Sequence, residues 1–424
     1  MTPPPARSLA DATAPRTGLV LTGGGARAAY QVGVLRAVRA IRRDAGLAGT
    51  ANPFPIVCGT SAGAINAAAL AAGSDHFDAA VRRLTRVWSH IHAHQVYRAD
   101  AWDALRAGTR WVSLLSLGWA LAQLRHVHPR SLLDNAPLGA LLRAHVPLQR
   151  IPQLLATGHL HALSIATSSY ASGEHVTFYE SAQPVPPWER AQRGAVPARI
   201  GVAHLLASSA IPFIFPAGAV TVDGVPSWYG DGTMRQVAPI SPAIHLGADR
   251  VLVIGAGRAN EPRAEPPAQA PAYPTLAQVA GHALSSIFLD TLAADIERTQ
   301  RINHTLSLIP PAARADSALR PVELLVISPS QRLDDLALRH VHELPGTVRT
   351  LLGILGVQPN DHASGALASY LLFEPGYTRA LMQLGWRDTL SQREEVERFF
   401  GWPSGPAHCA PDLGGKRPTP GPPR

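Results

Sequence analysis

A serine lies at the centre of the most informative motif in the sequence. The residues from Gly59 to Gly63 read GTSAG, which matches the G-x-S-x-G pattern with Ser61 in the middle. An apolar segment, 56–58, precedes the motif and a run of small residues, 64–72, follows it, which predicts a strand, a sharp turn and a helix. Glycines on either side of such a turn leave the serine hydroxyl exposed, and the first N–H groups of the helix point at it. The motif predicts a nucleophilic serine; the alternative is a glycine-rich turn that only packs a helix on a sheet.

Three consecutive glycines, Gly23, Gly24 and Gly25, follow the first apolar segment and precede a helical pattern. Their backbone N–H groups can approach a ligand closely. One interpretation is dinucleotide binding, with Asp44 as the acid that contacts a ribose, but that acid should end a second strand and Asp44 ends a predicted helix. The other is an oxyanion hole, in which N–H donors stabilise the charge that develops during acyl transfer. Arg27 could then add positive potential or hold the loop, or it could be a solvated arginine of the first helical turn, since arginine is usually exposed.

A serine hydroxyl needs a base, and two Asp-Gly pairs are candidates. Asp223 lies between two short segments of β-type residues, where Asp-Gly is a strong hairpin signal. Asp231, followed by Gly232, comes after an aromatic segment and before an irregular one. Turn chemistry therefore assigns Asp223 to a hairpin and favours Asp231 as the base.

A Ser-His-Asp triad is an open alternative, because the chain has 18 histidines. In an α/β-hydrolase order, His245 or His282 would follow Ser61 and Asp231. The turn between strand and helix that carries the nucleophile is called the nucleophile elbow. In the α/β-hydrolase fold several strands precede this elbow, whereas here the elbow around Ser61 follows the second predicted strand.

The elements that position these residues alternate along the chain. Apolar runs at 19–21, 56–58, 163–167, 251–254 and 324–327 predict strands, and helical patterns lie between them. This order predicts an α/β fold with a mostly parallel sheet sandwiched by helices, and ligands bind such sheets at the carboxyl ends of the strands. The expected organisation is a disordered segment 1–16, an acyl hydrolase domain 17–332 with a long loop at 258–274, a helical C-terminal extension 333–402 and a disordered tail 403–424.

Composition excludes some classes and leaves others open. The 424 residues are 46% hydrophobic and 16% charged, as in a globular protein. The net charge of +8 suits an anionic partner such as a membrane surface, or reflects only a coding bias towards arginine. No aromatic-interleaved basic run or nucleic-acid motif accompanies it, so no nucleic-acid partner is expected. Two cysteines, Cys58 and Cys409, make a disulfide framework improbable.

The N-terminus lacks the basic start and apolar core of a signal peptide, and no apolar stretch approaches the length of a spanning helix. We expect a cytoplasmic protein that can associate with membranes. Residues 102–124, from Trp102 to Leu124, form an apolar, weakly amphipathic segment. The segment could be a lid or a membrane contact, or a helix packed on its own domain.

Three histidines at alternate positions, His90, His92 and His94, are the one pattern that suggests a metal. On a strand they would share a face, but on a helix they would not converge, and nothing nearby completes a tetrahedral set. No metal and no cofactor are expected.

Three blocks together resemble the patatin-like phospholipase family. They are GGGAR at 23–27, GTSAG at 59–63 and the pair Asp231-Gly232. The segments ASSAIP at 207–212 and LGAD at 246–249 are also similar to the family, and the resemblance runs from about residue 18 to 255. Two positions depart from its pattern: Ala28 stands where glycine is usual, and Thr233 stands where glycine or alanine is usual. Both are small, so modest effects on loop geometry are expected.

The resemblance implies a Ser–Asp dyad without histidine. Ser61 would attack an ester carbonyl, Asp231 would accept its proton, and the N–H groups of the glycine loop, with Arg27 nearby, would hold the oxyanion. The implied function is lipid acyl hydrolysis, as a phospholipase A, lysophospholipase or esterase. The alternatives are thioester or protein deacylation by the same dyad, and a non-catalytic lipid-binding protein or scaffold with the same fold. The resemblance leaves the oligomeric state open.

Overall fold

The fold is built on a mixed sheet of ten strands. The computed structural model describes residues 15–98, 131–257, 276–314, 317, 319–354 and 362–404. Its strands are β1 (Thr17–Leu21), β2 (Ile56–Thr60), β3 (Ala162–Ser169), β4 (His175–Ser181), β5 (Glu189–Arg190), β6 (Arg193–Pro197), β7 (Gly218–Val222), β8 (Val225–Asp231), β9 (Arg250–Ile254) and β10 (Glu323–Ile327).

Helices cover both faces of this sheet. They are α1 (Ala29–Asp44), α2 (Ala62–Ala71), α3 (Phe77–Ser89), α4 (Ala93–Val96), α5 (Ala136–His145), α6 (Ile151–Ala156), α7 (Val202–Ser208), α8 (Ser241–His245), α9 (Leu276–Leu308), α10 (Pro311–Arg314), α11 (Leu333–His340), α12 (Gly346–Ile354), α13 (His362–Leu371), α14 (Pro375–Ser391) and α15 (Arg393–Phe400). Short 3-10 turns, including Gly25–Ala28 and Gly232–Arg235, connect some of them.

The central strands are parallel and apolar on both faces. Their order is β10-β9-β1-β2-β3, and each neighbouring pair is parallel. Leu19 and Leu21 of β1 belong to one hydrophobic cluster, while Val20 between them belongs to a second cluster on the opposite face. Side chains that alternate between two buried faces explain why β1, β2 and β9 read as continuous apolar runs. The predicted α/β fold with a mostly parallel sheet and C-terminal helices is confirmed.

The antiparallel part of the sheet begins at β3. β4 pairs with β3 along nearly its whole length, and β7 and β8 form a hairpin whose turn is Asp223-Gly224. Both turn residues have positive φ, 50° and 79°, as the tight hairpin turn requires. The predicted role of Asp223 in a turn is confirmed.

The C-terminal helices pack directly on the first helix. Helix α14 crosses α1 so closely that a Cβ on Gly33 would lie 2.1 Å from the carbonyl oxygen of Met382, and one on Gly385 would lie 2.3 Å from that of Tyr30. The hydroxyl of Tyr30 also donates to Asp388, over 3.0 Å. Paired glycines therefore let the two backbones touch, and the C-terminal helices share the core of the sheet.

Several predicted segments lie outside the described residues. They are most of the two terminal segments, the loop 258–274 and the apolar segment from Trp102 to Leu124. Among the helices that the structure describes, none is both long and apolar enough to cross a membrane.

Candidate active site

Ser61 occupies a strained turn between β2 and α2. Its φ of 56° and ψ of −130° are rare for a residue with a side chain. A Cβ on Gly59 would lie 2.6 Å from backbone atoms at Gly63 and Ala64. A Cβ on Gly63 would lie 2.4 Å from the carbonyl oxygens of Leu21 and Thr22, where the glycine loop begins. Both glycines are thus required by close backbone contacts, as the elbow motif predicts.

The register of β3 brings Asp231 to Ser61. β2 pairs with β3 up to Thr60, which lies opposite Ala166. Where β2 turns away at the elbow, β8 takes its place beside β3, and Asp231 pairs with Thr167. As a result, the Oγ of Ser61 donates a hydrogen bond to Oδ2 of Asp231 over 2.5 Å, although 170 positions separate them in the sequence.

The two carboxylate oxygens of Asp231 have different partners. Oδ2 accepts from Ser61, while Oδ1 accepts from the backbone N–H of Thr233 (3.0 Å) and from its hydroxyl (2.7 Å). Asp231 is fully buried, and burial raises its pKa to about 6, against the opposing effect of the hydrogen bonds from Ser61 and Thr233. A carboxylate held this way can accept a proton from the serine hydroxyl at neutral pH.

A second serine, Ser208 at the end of α7, supports the elbow. Its hydroxyl accepts from the N–H of Ser61 (2.8 Å) and donates to the carbonyl of Ala166 (2.6 Å). The same carbonyl lies only 2.3 Å from where a Cβ of Gly232 would be. Ala166 therefore anchors both halves of the site. The sequence does not predict the specific roles of Ser208 and Thr233, because their hydrogen-bond partners depend on which elements become neighbours in the fold.

The glycine loop lies between the elbow and the C-terminal helices. Gly25 has a φ of +55°, and a Cβ there would lie 2.4 Å from the carbonyl of Tyr370; at Gly24 it would lie 2.7 Å from the Cβ of Ala256. In the described part of the chain, the N–H groups of Gly23, Gly24 and Gly25 donate to no protein acceptor. Of these three glycines, Gly25 lines the same pocket as Ser61.

Arg27 points away from this pocket and into the C-terminal helices. Its guanidinium donates to Asp334 of α11 and, over 2.7 Å, to the hydroxyl of Ser369 of α13. It also lies 4.1 Å from the ring centroid of Tyr370. Of the roles considered for Arg27, this placement favours holding the loop over adding positive potential at the serine, and the burial of the side chain is contrary to a solvated arginine.

A buried polar network ties the loop to three helices. Gln31 donates to the carbonyl of Thr22 (2.7 Å), and Asn66 donates to Gln31 (3.0 Å) and to the carbonyl of Ala28 (3.1 Å). Trp88 completes the network by donating to Asn66 over 2.8 Å. Every partner is satisfied, which makes such a network rigid.

An apolar pocket opens beside Ser61. It encloses about 870 Å³, counting the open solvent at its mouth, and its walls come from α2, α3, α5 and the segment after α7. The wall residues nearest the serine in sequence are Ala62 and Ile65. Other wall residues are Leu84, Val87, Trp88, Leu138, Leu142, Ile211, Phe215 and Phe373. The apolar character of these walls suits a hydrocarbon chain.

The alternative site residues lie in other surroundings. Asp44 ends α1 and pairs with Arg393. His245 bonds within α8 to Ser241 and stacks on Trp188 at 4.7 Å. His282 falls on α9 within residues 276–290, where side chains are not among those described.

The three alternating histidines have separate partners. His90 bonds to residues of α3, while His92 bonds to Glu374 and stacks on His94. Within the described residues, no three His, Cys, Asp or Glu side chains are grouped so as to hold a metal ion.

Comparisons with known proteins give one family match. No curated protein matches it. A solved structure, VipD from Legionella pneumophila, aligns with 88% of this chain and 67% of that chain at 14% identity, with a TM-score of 0.33, a likeness too low to support an argument. The family model for patatin-like phospholipase matches residues 19–244, more than half of the 424 residues. That span contains the glycine loop, Ser61 and Asp231, and the chain belongs to the patatin-like phospholipase family.

Proposed function

We propose that the protein is a serine-dependent hydrolase of the carboxylic esters of acyl lipids. The observation that carries the proposal is the 2.5 Å hydrogen bond from Ser61 to Asp231 beside an apolar pocket. Membership of a lipid acyl hydrolase family supports the same chemistry. The proposed dyad needs no histidine, because the carboxylate contacts the hydroxyl directly.

In the first half of the reaction, Ser61 attacks the ester carbonyl carbon and its proton passes to Oδ2 of Asp231. The carbonyl oxygen becomes an oxyanion, which the N–H groups of Gly24 and Gly25 stabilise by several kcal/mol. When the tetrahedral intermediate collapses, the C–O bond to the alcohol breaks. The protonated Asp231 gives its proton to the departing alkoxide, and the acyl group stays on Ser61.

In the second half, a water molecule attacks the acyl-enzyme. Asp231 accepts the proton of that water, the oxyanion forms again at the glycine loop, and collapse breaks the bond to Oγ. Asp231 then returns the proton to Ser61, which releases a fatty acid. The second half reuses the same groups, so one buried carboxylate serves as base and acid in turn.

The test uses a fluorophosphonate probe, which reacts with activated serines, together with a panel of acyl esters, phospholipids and acyl thioesters. We expect Ser61→Ala to abolish labelling and to lower kcat by roughly three orders of magnitude or more. Asp231→Asn keeps the shape of the side chain but removes the base, so we expect a loss of roughly 10²- to 10⁴-fold. Asp223→Asn, at the hairpin turn, is the matched control and should retain wild-type rates.

Labelling that survives Ser61→Ala would contradict the assignment of the nucleophile. Lipid binding without turnover, unaffected by Asp231→Asn, would instead indicate a non-catalytic scaffold. A preference for thioesters over oxygen esters in the panel would indicate deacylation of thioesters by the same dyad.

A further inference from the structure

The pocket beside Ser61 changes character along its length. On α2 its wall consists of Ala62, Ile65 and Ala69, which recur every three or four residues and so lie on one face of the helix. Helix α3 supplies the opposite wall, with Ala80, Leu84 and Val87. These side walls are therefore apolar from the serine to Ala69, two residues before the end of α2.

The end of the pocket away from Ser61 is polar. A Cβ on Gly73, which follows α2, would lie 2.5 Å from a guanidinium nitrogen of Arg83, so this side chain reaches the far end of α2. Arg150 donates to the carbonyl of Ala72 over 3.1 Å, which holds the segment after His145 at that same end. Arg83 and His145 both line the pocket and are exposed. The apolar part of the pocket therefore ends at Arg83 and His145, which are exposed to solvent.

This length can be expressed in carbon atoms. From Ala62 to Ala69 helix α2 advances about 10 Å, and to its last residue, Ala71, about 14 Å, at about 1.5 Å per residue. An extended alkyl chain advances about 1.3 Å per carbon, because C–C bonds of about 1.5 Å meet near tetrahedral angles. The apolar stretch therefore matches a chain of about 8 to 12 carbons.

We propose that the pocket holds the acyl chain of the substrate in extended form and selects acyl groups of about 8 to 12 carbons. Ala69 leaves the far part of the pocket open because its side chain is small, and Arg83 marks the far limit. Carbons beyond that limit meet a hydrated guanidinium and gain little from burial. The inference rests on the proposed ester hydrolysis at Ser61.

The experiment measures kcat/KM of the full chain with 4-nitrophenyl esters from butanoate to hexadecanoate. We expect a rise to a maximum between octanoate and dodecanoate, followed by a plateau or a fall. Ala69→Phe places a ring across the pocket, and each methylene it excludes should cost about fourfold. The ratio of decanoate to butanoate rates should therefore fall at least tenfold, with an intermediate fall for the smaller Ala69→Leu. In Arg83→Leu, the ratio of tetradecanoate to decanoate rates should rise.

Ala140→Phe is the matched control, because Ala140 lies exposed on α5 outside the pocket. Its chain-length profile should equal that of the wild type, and thermal melting should show that all variants fold. A profile for both Ala69 variants that is the same as that of Ala140→Phe would overturn the inference while leaving ester hydrolysis intact.

Calorimetric binding of decanoate to Ser61→Ala protein separates the two proposals. We expect decanoate to bind more tightly than butanoate, and the additional change Ala69→Phe to remove that difference. If no ester is hydrolysed but this binding pattern holds, the proposed function fails and the chain-length pocket stands. If decanoate and butanoate bind alike in both proteins, the pocket is not an acyl-chain site.

Discussion

At the scale of single residues, the environment of Asp231 leads to an expected pH dependence for the proposed dyad. Burial raises the pKa of Asp231 to about 6, and the base must be ionised to accept a proton. We therefore expect kcat/KM for a neutral ester to be constant above pH 7 and to fall about tenfold per pH unit well below pH 6. Burial lowers the pKa of His175 to about 4, so this histidine stays mostly neutral between pH 7 and about pH 5.

The hydroxyl of Thr233 offers a way to test whether the pKa of Asp231 controls the pH profile. It donates to Oδ1 of Asp231 and thereby lowers the pKa of the carboxyl. Thr233→Val removes this donor with little change of shape, so the inflection should move to higher pH and the rate at pH 7 should fall. Thr233→Ser retains the hydroxyl and should keep the wild-type inflection. Equal inflections in all three proteins would mean that another group controls the profile.

At the scale of elements, the glycine loop is held from outside the part of the chain that contains the catalytic motifs. Tyr370 covers Gly25 with its carbonyl, and Arg27 inserts its guanidinium between α11 and α13. A strained loop keeps its N–H groups in place only when its surroundings hold it there. The C-terminal helices therefore act as one wall of the proposed oxyanion hole.

Replacing Arg27 should weaken both the fold and the site. Arg27→Gln removes the buried partner of Asp334, whose side chain is 13% exposed and keeps a 4.0 Å pair with Arg332, and we expect a cost of about 3 kcal/mol of stability, the low end for a broken buried pair. Below the melting temperature we expect fluorophosphonate labelling of Ser61 to slow at least tenfold, because the loop is displaced. Arg301→Gln breaks an exposed pair with Glu297 on α9 and is the control; its stability and labelling should match the wild type. A stable Arg27→Gln protein with normal labelling would rule out this role.

At the scale of the whole molecule, the crossing of α1 and α14 joins the two ends of the chain into one core. The backbones touch at Gly33 and Gly385, and no side chain fits at either position without displacing the partner helix. Glycine lowers helix propensity by about 1 kcal/mol relative to alanine, so its presence inside both helices is explained by packing.

A pair of glycine substitutions tests that explanation. Gly33→Ala should destabilise the protein by about 1 to 3 kcal/mol despite the better helix propensity, because its methyl group overpacks the crossing. Gly139→Ala on α5 meets nothing closer than 3.5 Å and should stabilise by about 0.5 to 1 kcal/mol. Urea unfolding of the two variants measures both values. If Gly33→Ala is also stabilising, the helices can separate at no cost.

The features that the sequence predicted are those with local causes. The elbow around Ser61, the hairpin turn at Asp223 and the parallel strands each follow from a few adjacent residues. The partners of Arg27 and the support from Ser208 depend on which strands and helices become neighbours, so no local pattern reveals them. Asp231 falls between these cases. Turn chemistry favours it as the base, but its contact with Ser61 arises because β8 replaces β2 as the neighbour of β3 beyond Ala166.

The ion pair between Arg27 and Asp334 joins residues that lie 307 positions apart. During synthesis Ser61 and Asp231 leave the ribosome before α11 and α13, but the C-terminal helices share one core with α1, and domains generally fold as units. The glycine loop contacts α11 and α13 only when the chain is almost fully synthesised. A nascent or prematurely terminated polypeptide would thus contain the reactive serine but lack a braced oxyanion hole. We therefore expect the proposed hydrolysis to require the nearly complete chain.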